Sequence, residues 1–181
     1  MTRRLKATGQ VIALACVAGL LALLVWSVVH QQHAPGVGSM APAFSLHRLT
    51  GDGDLSLRSF RGKTVVLNFF ASWCGPCKRE APELESVWRR YRSDGLVVLG
   101  VDSGDARGSA RSFLSAHRVT YPIVFDPGET MALGPYAVPG LPVTYVINPA
   151  GRIVGEPLLG PVSDSGYSQE FARELKAALQ T

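Results

Sequence analysis

A run of almost wholly apolar residues, Thr64 to Phe70, most constrains the fold of this chain. Its β-branched and aromatic side chains do not alternate with polar ones, which is typical of a strand buried on both faces in a parallel sheet. The residues from Cys77 to Tyr91 carry apolar side chains at spacings of three and four, which predicts an amphipathic helix whose first turns are kinked by Pro82. Because a buried strand followed by a helix opens a βαβ unit, an α/β domain is expected.

Strand and helix patterns continue to alternate after this unit. They predict strands at Leu96–Val101, Ile123–Phe125, Val143–Ile147 and Ile153–Val154, and helices at Ala110–His117 and Tyr167–Leu179. Before the unit, the alternating triplets Phe44–Leu46 and Leu55–Leu57 flank the turn Gly51–Gly53 and predict a hairpin. The order βαβαβ, followed by a hairpin and a helix, predicts an α/β sandwich around a mixed sheet.

The stretch 9–29 is uncharged, and as a helix it would span roughly 31 Å at about 1.5 Å per residue. That length suits a transmembrane helix. A cleaved signal peptide is the alternative, but its apolar region is about 7–15 residues long and ends at small residues, whereas His30 and Gln31 follow this stretch. Lipoprotein cleavage before Cys16 is also conceivable, although few apolar residues precede that cysteine. We expect a retained anchor with Cys16 in lipid.

The charges around the predicted anchor indicate its orientation. Arg3, Arg4 and Lys6 precede it, and no Lys or Arg follows it before Arg48, which favours a cytoplasmic amino terminus and a periplasmic domain at the bacterial inner membrane. The expected division of the chain is a cytoplasmic segment 1–8, a transmembrane anchor 9–29, a linker 30–40 rich in Gly and Pro, and a domain 41–181.

Charge and cysteine content exclude several functional classes. The chain has 18 Lys and Arg against 14 Asp and Glu, and three of the basic residues precede the anchor, so the remainder is nearly balanced and shows no nucleic-acid footprint. Three cysteines cannot build a disulfide scaffold or a four-cysteine zinc site. His30 and His33 have no further ligand near them in sequence. No metal is therefore expected.

Two cysteines, Cys74 and Cys77, follow the predicted buried strand and are the candidates for chemistry. A thiolate near a helix amino terminus faces unpaired N–H groups and the positive end of the helix dipole, which lower its pKa below about 8.5, so Cys74 is the predicted nucleophile. Cys77 would lie one turn deeper and resolve a mixed disulfide. Gly75 and Pro76 let the chain turn into the helix. The pair would need no cofactor beyond its own redox-active disulfide.

The cysteine pair allows three other interpretations. A structural disulfide closing so short a loop contributes only about 2 kcal/mol, which is little for a domain with a full core. A zinc site is disfavoured because the motif supplies two ligands, and Cys16 and the scattered histidines cannot supply the others. A domain that has kept the cysteines but only binds peptides stays open, because the motif alone does not exclude it.

The segment KTVVLNFFASWCGPCKREAPEL and the later segment GLPVTYVI together resemble the membrane-anchored thioredoxin-like proteins of the TlpA, ResA and CcmG type. The resemblance runs from about Met40 to the end. It implies a thioredoxin fold with an added amino-terminal hairpin and an extra helical insertion before the strand of Pro142. It also implies a cis Leu141–Pro142 bond facing the cysteines, with the Leu141 backbone turned outward to pair with a substrate strand. The implied substrate-binding residues are Trp73, Gly75, Pro76, Leu141 and Pro142.

Three departures from related patterns bear on the chemistry. Cytosolic thioredoxins carry a buried aspartate where this chain has Asn68, and Glu80, which matches a glutamate of the membrane-anchored relatives, is the candidate replacement as proton carrier for Cys77. The alternative for Glu80 is a solvated surface residue. Peroxiredoxins need a threonine where Ala71 stands. The CcmG-type proteins usually have an acidic residue where Val143 stands, which leaves that assignment open.

The leading hypothesis is a periplasmic thiol-disulfide reductase. The resemblance implies that it takes electrons from a membrane thiol carrier and reduces disulfides in exported proteins such as apocytochrome c or copper-site cysteines. A disulfide-donating oxidase or isomerase is the second hypothesis, and Gly75-Pro76, the dipeptide of reducing thioredoxins, disfavours it. The third is a noncatalytic module that docks an extended peptide near Trp73 and Pro142.

Overall fold

The computed structural model describes residues 15–26 and 34–180. The chain divides into two compact units, Met1–Gln32 and His33–Thr181. In the first unit residues 15–26 form helix α1. The other residues of the predicted anchor 9–29 lie outside the described part. Within the described residues, no helix combines the length and the apolar character that crossing a membrane requires.

Five strands form the central sheet of the second unit, in the order β5-β4-β3-β6-β7. They are β3 (Thr64–Phe70), β4 (Leu96–Ser103), β5 (Ile123–Asp126), β6 (Val143–Ile147) and β7 (Ile153–Leu158). The neighbours β3, β4 and β5 are parallel, whereas β6 is antiparallel to both β3 and β7. Three helices accompany them, α2 (Gly75–Tyr91), α3 (Arg107–His117) and α4 (Ser165–Leu179). The predicted order βαβαβ, hairpin and helix is confirmed.

The predicted amino-terminal hairpin is present, with each of its two strands displaced by one residue from the expected triplet. Strands β1 (Ser45–His47) and β2 (Asp54–Ser56) pair antiparallel. Leu57 was expected in β2 but begins a short 3-10 helix, Leu57–Phe60. The reason is local, because the Ser56 hydroxyl caps this turn by accepting a hydrogen bond from the Arg58 N–H.

Two further boundaries differ from the expected ones. Helix α2 begins at Gly75 and not at Cys77, because the Cys74 side chain caps it and Pro76 occupies its first turn. The resemblance implies a helical insertion before the strand of Pro142. Helix α3 lies earlier in the chain, between β4 and β5. The segment 127–140, which leads to that strand, consists of turns and irregular backbone. The buried Asp126 carboxylate holds that segment by accepting hydrogen bonds from the N–H groups of Thr130 and Met131. No helix directly precedes Pro142.

The core lies on both faces of the sheet. Val66 and Phe70 of β3 face an apolar cluster that contains residues of α2, α3 and α4. Val65, Leu67 and Phe69 face a second cluster, formed with the hairpin and the turn segment before β6. Every residue of β3 is buried. The continuous apolar run therefore reflects a strand that is covered on both sides.

The first residues of the second unit add to the edge of the sheet beside β7. The Gly38 N–H donates to the Ile153 carbonyl at 2.9 Å, and the Ala41 N–H donates to the Gly151 carbonyl at 3.0 Å. Ile147, at the same end of the β6–β7 hairpin, pairs with Val65 near the start of β3. The chain thus joins the sheet at the end where β3 begins. Cys74 follows the opposite end of β3.

Candidate active site

Cys74 and Cys77 form a disulfide at the junction of β3 and α2. The S–S distance is 2.06 Å and the Cα atoms are 5.3 Å apart. The Cys74 Sγ accepts a hydrogen bond from the Cys77 N–H at 3.1 Å. Cys74 is 4% exposed and Cys77 1%. In the reduced protein this N–H can stabilise a thiolate on Cys74, the less buried of the two residues.

The loop that precedes the disulfide is held by the residues that follow β4. The Ser72 N–H donates to the Asp105 carboxylate at 2.7 Å. The Trp73 indole N–H donates to the Gly104 carbonyl at 3.1 Å, which orients a ring that is 61% exposed. Sequence reasoning missed Gly104 and Asp105. Their place directly after a predicted strand was the available signal, because the carboxyl ends of neighbouring parallel strands meet at one edge of the sheet.

The Leu141–Pro142 peptide bond is cis, as the resemblance implies. Pro142 is buried and Leu141 is half-buried. Leu141 packs against the apolar cluster that contains Cys74 and Cys77, and it lines a pocket together with Trp73. The structure therefore brings the segment before β6 to the disulfide.

Gly75 and Pro76 lie between the two cysteines in the first turn of α2. Gly75 is exposed and Pro76 is half-buried. Gly75 is therefore open to solvent directly after Cys74 in the chain.

Glu80 is buried in the core, so the interpretation as a solvated surface residue is wrong. Its side chain is among the largest that are fully buried, at 1% exposure. One carboxylate oxygen accepts a hydrogen bond from the Asn68 amide at 2.8 Å, and the other accepts from the Val162 N–H at 3.1 Å. The Asn68 amide also donates to the Thr144 hydroxyl at 3.0 Å. Residues of α2, β3 and β6 thus share one buried polar network.

Burial raises the pKa of Glu80 from 4.5 to about 7, because removal from water disfavours the carboxylate. The hydrogen bonds from Asn68 and Val162 act in the opposite direction, and the nearby Asp164 carboxylate adds a small increase. The result is a buried carboxyl group that exchanges protons near neutral pH, one helical turn after Cys77. That property suits a proton carrier.

The raised pKa of Glu80 predicts a pH-dependent stability. The folded protein holds this proton more tightly than the unfolded chain, so the stabilisation is complete below about pH 4.5 and is lost as pH rises through about 7. The free energy of unfolding should fall by up to about 3 kcal/mol over that range. The Glu80→Gln variant cannot titrate, so it should gain stability relative to the parent between pH 5 and pH 8 in urea unfolding. If the free energies of unfolding of Glu80→Gln and the parent differ by the same amount at pH 5 and at pH 8, the prediction is contradicted. The exposed Glu83→Gln is the control.

A second buried carboxyl group, Asp102, lies at the end of the sheet that leads to Cys74. It pairs with Phe70 across β3 and β4, one position after the strand end that the pattern predicted. Burial, and then the nearby carboxylate of Asp105, raises its pKa to about 8. Sequence reasoning missed Asp102, because a carboxylate is seldom expected inside a strand.

Comparisons with known proteins agree with this geometry. Residues 37–155, more than half of the chain, match the model of the AhpC/TSA family. The thiol-disulfide oxidoreductase ResA of Bacillus subtilis is 32% identical over 147 residues, which are 81% of this chain and 80% of ResA. ResA of Geobacillus thermodenitrificans is 34% identical, over 79% of this chain and 81% of that protein.

Solved structures show the same similarity. A crystal structure from Chlorobium tepidum, assigned as the thiol:disulfide interchange protein DsbE, superposes with a TM-score of 0.73 and 28% identity. The match covers 81% of this chain and 99% of that one. The second unit therefore has a thioredoxin-like fold with an added hairpin. The two cysteines of its Cys–Gly–Pro–Cys motif form a disulfide beside a cis-proline segment. The family match, the related sequences and the solved structures agree that the chain belongs to the AhpC/TSA family, as a thiol-disulfide oxidoreductase of the ResA and DsbE type.

Proposed function

We propose that this oxidoreductase works as a reductase of protein disulfides, with Cys74 as nucleophile and Cys77 as resolving thiol. The observation that carries the assignment is the hydrogen bond from the Cys77 N–H to the Cys74 Sγ, at the cap of α2. This donor favours a thiolate on Cys74 over one on Cys77. The lower exposure of Cys77 supports its role as the thiol that reacts only within the protein.

The exchange proceeds in two balanced steps. The Cys74 thiolate attacks one sulfur of the substrate disulfide, a mixed disulfide forms, and the first substrate thiolate leaves. Cys77 then loses its proton and attacks the Cys74 sulfur, which releases the second substrate thiolate and forms the Cys74–Cys77 disulfide. The substrate gains two electrons and the enzyme loses two. A dithiol donor, for which we propose a membrane thiol carrier, returns them.

The substrate is proposed to bind as an extended strand. Its backbone would pair with the outward-facing backbone at Leu141, before Pro142, and its cysteine would lie over Gly75 and Pro76, beside Trp73. The exposure of Trp73 and Gly75 supports this mode, since both are open to a partner. Exported proteins, such as apocytochrome c or proteins with copper-site cysteines, are the proposed substrates on the strength of the resemblance to the TlpA, ResA and CcmG type.

The proposed location is the periplasmic face of the bacterial inner membrane. The uncharged stretch 9–29 supports an anchor of this orientation, because Arg3, Arg4 and Lys6 precede it and no Lys or Arg follows it before Arg48. The segments 1–8, 9–29, 30–40 and 41–181 would then be the cytoplasmic terminus, anchor, linker and catalytic domain.

The reduction potential tests the direction of electron flow. We expect the full-length protein, equilibrated with dithiothreitol or glutathione mixtures, to show a potential more negative than about −200 mV, nearer to thioredoxin than to a strong oxidant. The fraction of reduced Cys74 and Cys77 can be read from alkylation and mass spectrometry. A value near −120 mV, of the order found for the oxidant DsbA, would instead support the oxidase hypothesis.

A further inference from the structure

A pocket lies beside the redox disulfide, on the side of Trp73. Its walls are mainly apolar and include Trp73, Leu133, Val138 and Leu141. Trp73 is 61% exposed and Leu133 64%, so the pocket opens to solvent between two apolar side chains. Glu129 is the charged residue in its lining. The pocket thus combines apolar walls with a carboxylate next to the site of exchange.

Unusual backbone conformations bring Glu129 to this position. Glu129 has a φ of 54°, in the left-handed region that a side chain other than glycine rarely adopts. Gly104, with a φ of 62°, lies directly under the Glu129 side chain, because a Cβ atom there would be 2.1 Å from the Glu129 carboxylate oxygen. Gly104 also accepts the hydrogen bond from the Trp73 indole. The Glu129 side chain and the Trp73 indole therefore both lie against Gly104.

The Glu129 carboxylate has no cationic partner within the described residues. The ion pairs in residues 15–26 and 34–180 involve Asp54, Glu85 and Glu170. No hydrogen bond to the Glu129 side chain is present in that part of the chain either. A carboxylate that lines a pocket in a strained backbone, without an internal partner, is placed to meet a group from outside.

The chemistry of the pocket identifies that group. An extended peptide paired with the backbone at Leu141 projects alternate side chains to opposite sides, and one of them reaches the side of Trp73. The apolar walls suit the methylene groups of lysine or arginine, while the carboxylate and the face of Trp73 suit the cationic head. We infer that Glu129 and this pocket form a specificity subsite that selects substrates with a lysine or arginine close to the reactive cysteine. This inference rests on the proposed strand-binding mode of the substrate.

The test uses synthetic peptides with one intramolecular disulfide that differ at a single residue. Lysine, glutamine or glutamate is placed beside the first cysteine, and in a second series beside the second cysteine. We expect the reduced full-length protein to show a kcat/KM for the lysine peptide about five- to tenfold above that for the glutamine peptide in one series. The ratio should shrink at high salt, because exposed charge pairs are screened.

Variants at position 129 assign this preference to the carboxylate. Glu129→Gln should bring the lysine-to-glutamine ratio close to one, and Glu129→Lys should make the glutamate peptide the preferred one. The exposed Asp52→Asn, in the turn between β1 and β2, is the matched control and should keep the parental ratio. Circular dichroism and the reduction potential check that the variants are folded.

Two outcomes would overturn the inference. Equal kcat/KM for all three peptides would show that the pocket does not discriminate between side chains of different charge. If Glu129→Gln keeps the parental ratio of kcat/KM for the lysine and glutamine peptides, a group other than Glu129 is responsible for the preference. If the parent turns over none of the peptides while it still equilibrates with dithiothreitol, the proposed function fails, which is a different result from turnover without preference.

Discussion

Replacing Cys77 with alanine should trap the protein in covalent adducts with its substrates, whereas replacing Cys74 should abolish both adducts and turnover. In Cys77→Ala the mixed disulfide forms but no second thiol resolves it. In Cys74→Ala the remaining cysteine is the more buried one and lacks the hydrogen bond at the cap of α2. We expect catalytic turnover to fall on the order of a thousandfold or more in either variant, since the two thiols act as a unit.

Nonreducing electrophoresis and mass spectrometry of proteins captured from cells would identify the adducts. The double variant, with both cysteines replaced by alanine, is the control for noncovalent association. Adducts that form on Cys77 in Cys74→Ala, and none on Cys74 in Cys77→Ala, would reverse the assignment of the two thiols. Tight peptide binding by the double variant, together with no turnover by the parent, would favour a docking module.

Replacing Glu80 with glutamine should slow the reduction of substrate by about tenfold or more, which is at or below the low end of general acid–base effects. Resolution requires Cys77 to lose its proton, and the Glu80 carboxylate, one turn away on the same face of α2, is the proposed acceptor. Because its pKa is about 7, the carboxylate fraction increases between pH 6 and pH 8, and the parental rate should increase over the same range. Glutamine keeps an acceptor oxygen for the Asn68 amide but removes this inflection.

Stopped-flow kinetics at several pH values, with the alkylation rate of Cys77 as a second measurement, would test this role. Glu83→Gln, on the exposed side of the same helix, is the matched control and should keep the parental profile. If the rate and the thiol titration of Glu80→Gln both equal those of the parent, Glu80 has only a structural role. The proton would then pass to water.

Local patterns were sufficient to predict the centre of the fold. The apolar run of β3 is buried on both faces in the structure, and a residue pattern of this kind has few alternatives once a helix follows it. The cysteines at the strand–helix junction depend on the same neighbouring residues, so their position could also be predicted. The cis bond before Pro142 came from the family resemblance and not from spacing.

Contacts between segments that are distant in sequence could not be predicted from local patterns. The partners of Glu80 are Asn68 on β3 and the backbone of Val162, which is 82 residues away along the chain. Glutamate has no intrinsic tendency to be buried, so only the tertiary structure reveals the buried network. The turns before β6 depend in the same way on the Asp126 carboxylate, whose hydrogen bonds outweigh helix propensity there. The positions of Asp102 and Glu129 likewise could not be predicted from local patterns.

The pairing of Gly38 and Ala41 with the β6–β7 hairpin lies at the end of the sheet away from the redox disulfide. The seven residues of β3, at about 3.3 Å each, put roughly 20 Å between the end where the chain joins the sheet and the end that leads to Cys74. A substitution that disturbs the pairing at Gly38 or Ala41 therefore acts on the sheet about one strand length away from Cys74, so it should weaken this edge without displacing the disulfide.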